Sequence, residues 1–314
     1  MSRWFFEPGS DGSRASGRAH DGHLVRGHIE PVHGDPHLDD PSVRDAQRMA
    51  DDGEVSLAGG IGNLGSVVRA GDTVRRPWKP VTPNLHTLFG DLRAGGFDGV
   101  PEPRGRDGAG REVLSWIPGD VPVPPFPSWS MTDDVLGEVA RLLRRYHDAV
   151  GSVRLPTDAA WSMELADPGG GNILCHNDVC PENVVFRPGG AVALLDFDYA
   201  APGRRVWDVA RTIRMWGPLG DPRAYEPERA SLDGLRRLSI FCSVYGIESW
   251  EAEEVADAVI ASHLVGLRFV RAHVEAGEPA FVEMFVGHGG EERDRRNREW
   301  LESHRADMVR VLKA

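Results

Sequence analysis

Lysine is nearly missing from this chain. Only two of its 36 basic side chains, Lys79 and Lys313, are lysines, so a site that grips phosphate must draw on arginine or on one of these two. Cysteine is scarce as well. Cys175, Cys180 and Cys242 cannot build a disulfide framework, which excludes a small stapled scaffold and suits a reducing compartment. No apolar run approaches the roughly 18 residues of a membrane span, and no charged-then-apolar leader opens the chain. A soluble, cytoplasmic protein with no membrane partner is therefore expected. The net charge of −12 argues against a nucleic-acid partner and fits a cationic small molecule, although an acidic surface also serves solubility alone. With 314 residues, 40% of them hydrophobic, the chain can bury a sizeable core, and its length suggests about two domains.

What is present is unevenly distributed. Residues 1–52 are rich in Gly, Asp, Arg, Pro and His and have no sustained apolar period, so they are expected to be a disordered extension outside the core fold. His20, His23, His28, His33 and His37 cluster there, and incidental histidines in a polar tail explain them better than a metal site does. From residue 53 the pattern turns to short strands broken by glycine, at 54–58, 66–69 and 73–76, with Gly59, Gly60 and Asn63 in the first turn and Gly71-Asp72 in the second. Glycine turns let backbone amides approach phosphate without a side chain in the way. Apolar spacing then predicts a helix over 83–94, a loop over 97–104, a strand over 112–117 and a helix over 132–150 capped at Thr132. Further helices are expected from 207, over 227–245, 250–275 and 291–312.

The most informative stretch runs Cys175-His176-Asn177-Asp178-Val179-Cys180-Pro181-Glu182-Asn183, followed by the apolar run 191–195 and then Asp196-Phe197-Asp198. Moving a γ-phosphoryl group needs one carboxylate to orient the acceptor hydroxyl and hard oxygen ligands for the magnesium that screens the phosphates. A kinase catalytic loop sets base and metal-binding amide five positions apart, as in H-x-D-x-x-x-x-N. His176, Asp178 and Asn183 fit that spacing, and Asp196 follows a strand-like run where a second metal carboxylate belongs. A zinc site from Cys175, His176, Asp178 and Cys180 is a weaker reading, because no second ligand pair follows.

At these residues the chain resembles the aminoglycoside phosphotransferase family, which is distantly similar to the protein kinases and close to choline kinase. The resemblance implies an α+β, protein-kinase-like, two-lobed fold with a small antiparallel-sheet N-lobe and a mainly helical C-lobe. Residues 53–118 would form the nucleotide-binding lobe, and 119–314 the catalytic and substrate-binding lobe. The implied reaction moves the γ-phosphoryl group of magnesium-bound ATP or GTP to a hydroxyl of a small molecule, with aminoglycosides, other antibiotics, choline-like alcohols and sugars as acceptors. Asp178 would be the catalytic base, Asn183 and Asp196 the magnesium ligands, and Asp198 a secondary ligand or an ordering carboxylate. The Gly59–Gly60 turn with Asn63 would cover the nucleotide, the backbone of Ser115 and Ile117 would bind the base, and Asp208 would hold the catalytic loop.

One part departs from the family pattern. The small-lobe lysine that grips the α- and β-phosphates has no counterpart on the third strand, since Lys79 lies beyond it. Arg75 is the arginine expected in its place. The following helix offers no glutamate to pair with it, only His86 or Asp91. That gap motivates a second reading, a binding or immunity protein on a kinase-like scaffold with weak catalysis. The acidic residues Glu251, Glu253, Glu254, Asp257, Glu283, Glu291 and Glu292 would favour a polycationic acceptor, or else form solvated helix faces.

Overall fold

A computed structural model of the chain describes residues 53–57, 66–156 and 159–314. The expected extension over 1–52 and the turn residues Gly59, Gly60 and Asn63 lie outside them. Val55–Ala314 fall in one compact unit.

The small lobe is an antiparallel sheet in the order β1-β2-β3-β5-β4. Its strands are β1 (Val55–Ser56), β2 (Val68–Ala70), β3 (Thr73–Arg76), β4 (Pro103–Arg106) and β5 (Glu112–Ser115). β4 lies where sequence predicted a loop. Its residues Pro-Arg-Gly-Arg show no apolar alternation, and it forms as an edge strand by borrowing the ladder of β5, with a register shift between Pro103 and Gly105. Register decides which side chains share a face. Val74 lies opposite Leu114 and Arg76 opposite Glu112, and because strand side chains alternate, these four share one face while Arg75 and Val113 take the other. Leu114 and Glu112 are both buried, so that face is the one packed inward.

Helix α1 (Thr82–Ala94) opens with Pro83 in its first turn and buries Leu85, Leu88, Phe89 and Leu92. Each such apolar side chain contributes about 1.5–3 kcal/mol on full burial. The chain crosses to the helical lobe at Gly119, where φ is +151°. A Cβ there would stand 2.5 Å from the Phe186 carbonyl oxygen and from Val185 Cγ1, so only glycine allows the pairing of Asp120 with Phe186 that ties the crossing to the lobe below.

Helix α2 (Asp133–Val150) starts as expected: Thr132 Oγ1 accepts the Val135 amide at 3.3 Å, and Asp133 and Asp134 lie in the first turn. Its apolar stripe packs on α5 (Gly234–Tyr245), while α3 (Arg205–Trp216) packs on α6 (Ala252–Glu275). The segment 227–245 breaks into a short α4 (Pro227–Ala230) and α5, because Asp233 caps a new helix through the Arg236 amide. The last helical stretch likewise divides at His304 into α8 (Gly290–Ser303) and α9 (Arg305–Lys313), preceded by α7 (Pro279–Gly287), which the sequence did not announce. Two small ladders sit among these helices. β6 (Ile173–Cys175) pairs with β9 (Ala201–Gly203), and β7 (Val184–Arg187) with β8 (Gly190–Leu194). No helix among the described residues is long and apolar enough to cross a membrane.

Candidate active site

The loop leaving β6 and the loop leaving β8 meet at one point. His176, the first residue after β6, is fully buried, and its Nε2 lies 2.9 Å from the Leu195 carbonyl at the end of β8. Burial holds its imidazole below the usual histidine range, so the neutral ring donates to Leu195 through Nε2 and accepts the Asp178 amide at Nδ1, 3.3 Å away. Histidine therefore does here what its two ring nitrogens allow: it ties strand to loop.

Asp208, in the first turn of α3, accepts the amides of His176 at 2.7 Å and Asn177 at 2.8 Å. Its other partner is His147 of α2, at 3.0 Å, which in turn meets the Tyr245 hydroxyl at 2.7 Å. Burial alone would raise the Asp208 carboxyl, but hydrogen bonding from His147 and from the His176 amide outweighs it and holds it below the ordinary value. Asn177 adopts φ +65°, a left-handed conformation rare outside glycine. It is locked there on three sides: its side-chain Nδ2 donates to the Tyr199 carbonyl, its side-chain oxygen accepts from Trp207, and its main-chain carbonyl accepts from Arg211.

Asn183 then turns its Nδ2 back onto Asp178, 2.8 Å from the backbone carbonyl and 3.2 Å from Oδ2. Those contacts fix the Asp178 carboxylate through Nδ2 and do not use the Oδ1 of Asn183. Asp196 has φ +59°, a second strained position, and such strain clusters where structure overrides local preference. Burial and next the charge of Asp198 raise the Asp196 carboxyl, while Arg76 and Lys79 hold that of Asp198 low. Asp178 adds to the repulsion on Asp196. Hard oxygens gathered under mutual repulsion fit a magnesium ion, which Asn183 and Asp196 would hold. No group of three or more His, Cys, Asp or Glu suited to a metal occurs among the described residues, so the zinc reading finds no support.

On the small-lobe side the residue that meets this pair is Arg76. Its Nε donates to Glu112 at 2.5 Å, and its Nη1 lies 3.0 Å from Asp196 and 3.1 Å from Asp198. Lys79 reaches Asp198 at 2.6 Å. Arg76 rather than the expected Arg75 contacts the aspartates, because alternation puts the two on opposite faces of β3, and Lys79 reaches Asp198 from beyond the strand. Sequence reasoning also missed Glu112, which supplies from β5 the carboxylate that the helix lacks, while His86 of that helix contacts it at 2.9 Å. The signal was available, since Glu112 alternates with the apolar Leu114. Of the two residues expected to hold a base, Ser115 has its amide bonded to the Glu102 carbonyl, whereas Ile117 has no main-chain hydrogen bond among the described residues.

The fold is of the protein-kinase-like, two-lobed class. Residues 154–241, which contain Asp178, Asn183, Asp196 and Asp208, match the phosphotransferase enzyme family. A trifolitoxin immunity protein from Rhizobium leguminosarum bv. trifolii is 34% identical over 174 residues, covering 54% of this chain and 64% of that protein; the chain thus spans less than two thirds of that relative's length. Among solved structures, a choline/ethanolamine kinase family protein from Mesorhizobium loti superposes with a TM-score of 0.56 at 14% identity, over 87% of this chain and 99% of that one. A choline kinase from Streptococcus pneumoniae gives 0.52 at 15% identity, over 83% and 98%. At such identities the likeness is one of fold.

Proposed function

We propose that the protein transfers the γ-phosphoryl group of magnesium-bound ATP or GTP to a hydroxyl of a small molecule. The carrying observation is the arrangement of Asp178, Asn183 and Asp196, in which Asn183 holds Asp178 and Arg76 contacts Asp196. Asp178 orients the acceptor hydroxyl and takes its proton as the oxygen bonds to phosphorus. The bond between phosphorus and the β–γ bridging oxygen breaks, and its electrons leave with the nucleoside diphosphate. Magnesium, when bound, screens the phosphate charge; Asn183 and Asp196 would hold it. Arg76, steadied by Glu112, grips the nucleotide phosphates as the strand lysine does in kinases, and Ile117 offers backbone groups to the base.

Five of the seven acidic residues that would favour a polycationic acceptor or else form solvated helix faces are paired with basic side chains, which favours the second of these. Glu253 pairs with Lys313, Glu254 with Arg204, Asp257 with Arg305, Glu291 with Arg271 and Glu292 with Arg295, so these carboxylates are matched at the surface. A second reading is favoured by the immunity protein among the relatives: a binding or immunity protein that turns over nucleotide weakly. Thermal-shift measurements with Mg-ATP and Mg-GTP, followed by phosphate incorporation into an acceptor panel, separate the two. A ligand at 100 times its dissociation constant stabilises by about 2.7 kcal/mol; no shift with either nucleotide would rule out the phosphotransferase.

A further inference from the structure

Beside the catalytic loop lies a cavity of about 210 Å³, whose wall includes Cys180, Pro181 and Glu182, the residues between Asp178 and Asn183. A single water needs only roughly 10–15 Å³ of such space, so this one accommodates a small organic molecule. Four arginines line it: Arg211 and Arg214 from α3, Arg229 from α4 and Arg293 from α8. Glu182 and Asp294 are the acidic residues in the wall.

The four guanidinium groups differ from the protein's ion-paired arginines. Elsewhere Arg204 is paired with Asp167, Arg237 with Asp133 and Arg305 with Asp257. In the cavity Arg211 donates to the Asn177 carbonyl, Arg214 lies 3.1 Å from His263 Nδ1 and Arg229 donates to the Met215 carbonyl at 2.8 Å, all uncharged acceptors. Among the described residues none of the four forms an ion pair with a carboxylate. Arg211 is 1% exposed, and its Nη1, together with the Nε atoms of Arg214, Arg229 and Arg293, is buried with no hydrogen-bond partner. Arg229 is nevertheless held in place, its guanidinium 5.5 Å from the Tyr225 ring and 5.9 Å from that of Phe126. Forked donors in a shielded cavity, with buried N–H groups unused and no carboxylate in direct ion-pair contact, match a planar or tetrahedral oxyanion.

Electrostatics agrees. Burial, then the charges of Arg211 and Arg293, pull Arg214 down to about 10. Burial and then Arg214 hold His263 down to about 3, so that ring accepts without adding charge. Burial raises the Asp294 carboxyl in spite of the arginines around it, which weakens it as the missing counter-ion.

We infer that this cavity is an oxyanion site, and that the acceptor carries a carboxylate, phosphate or sulfonate group beside the hydroxyl that receives the phosphoryl group. The word acceptor rests on the proposed phosphotransfer; the anion site does not.

The test uses the full chain at constant ionic strength. Citrate, sulfate and inorganic phosphate serve as anionic probes, choline and spermine as cationic ones, in thermal-shift and calorimetric titrations. The anions are expected to stabilise the protein saturably, and Arg214→Gln and Arg293→Gln to weaken that binding about 10- to 100-fold, the loss of one or two charge-assisted hydrogen bonds. Because phosphate could also enter the nucleotide site, the anion response should survive Arg76→Ala. Stabilisation by the cations alone, or an anion response unchanged in both cavity variants, would overturn the inference. Labelled nucleotide then tests the acceptor: transfer to hydroxy acids or to phosphorylated alcohols supports the site and tells the two anion sources apart, whereas transfer to amino alcohols alone counts against it. Anion binding without nucleotide binding would leave the site standing and remove the phosphotransferase.

Discussion

Arg76 stands directly across the β3–β5 ladder from Glu112 and donates to it at 2.5 Å. The same guanidinium contacts Asp196 and Asp198 of the helical lobe, so one side chain joins both lobes at the proposed phosphate site. Glu112 is fully buried and can only act through Arg76 and His86. It is a positioning residue.

Glu112→Gln is therefore expected to raise the KM for nucleotide about 10-fold while changing kcat little, since it loosens a binding group and leaves Asp178 untouched. Arg76→Ala should weaken nucleotide binding more strongly, and Arg75→Ala should leave it within about 3-fold, a comparison made by calorimetry. Equal effects from the two arginines would show that strand alternation does not select Arg76.

Asp178→Asn is expected to lower turnover by on the order of 10²- to 10⁴-fold, as for a lost general base, with the nucleotide thermal shift retained. Asn183 Nδ2 would still find an oxygen on the substituted side chain, so folding should persist. Full activity in this variant would remove Asp178 from the proton transfer.

Asp196→Ala should abolish the magnesium dependence of nucleotide affinity, read by titration with and without the ion. Removal of magnesium from the wild type by chelation should mimic it. An affinity that ignores magnesium in the wild type would end the metal assignment of Asn183 and Asp196.

Asp208→Asn should destabilise the protein by about 1–3 kcal/mol, because two buried amides of the catalytic loop lose a charged acceptor. The Asp208 carboxyl is held below its ordinary value in the fold, so its contribution is present above the usual carboxylate pKa near 3.9 and fades as pH falls toward the lower folded value. Urea denaturation between pH 3 and 7 should show that acid-side loss in the wild type and a flatter profile in the variant.

The loop was legible because its chemistry is local. His176, Asp178 and Asn183 lie within eight residues, and spacing alone puts amide and carboxylate on the same turn. The capped helix α2 was legible for a similar reason, since Thr132 and a 3.6-residue apolar period are signals carried by neighbours in the chain. β4 was missed because its residues have no strand preference of their own, and α4 and α5 were run together because an internal cap at Asp233 leaves the apolar period intact.

Sequence by itself determined the loop pattern of His176, Asp178 and Asn183 and the two-lobed, kinase-like fold class, because both are written in short-range patterns. Tertiary structure decided which of two adjacent arginines faces the aspartates and which strand supplies their glutamate. It also gathered four arginines from three helices around one cavity. These are contacts between residues 36 to 120 positions apart, or between elements that meet only on folding, and strand register and helix packing set them rather than any pattern along the chain.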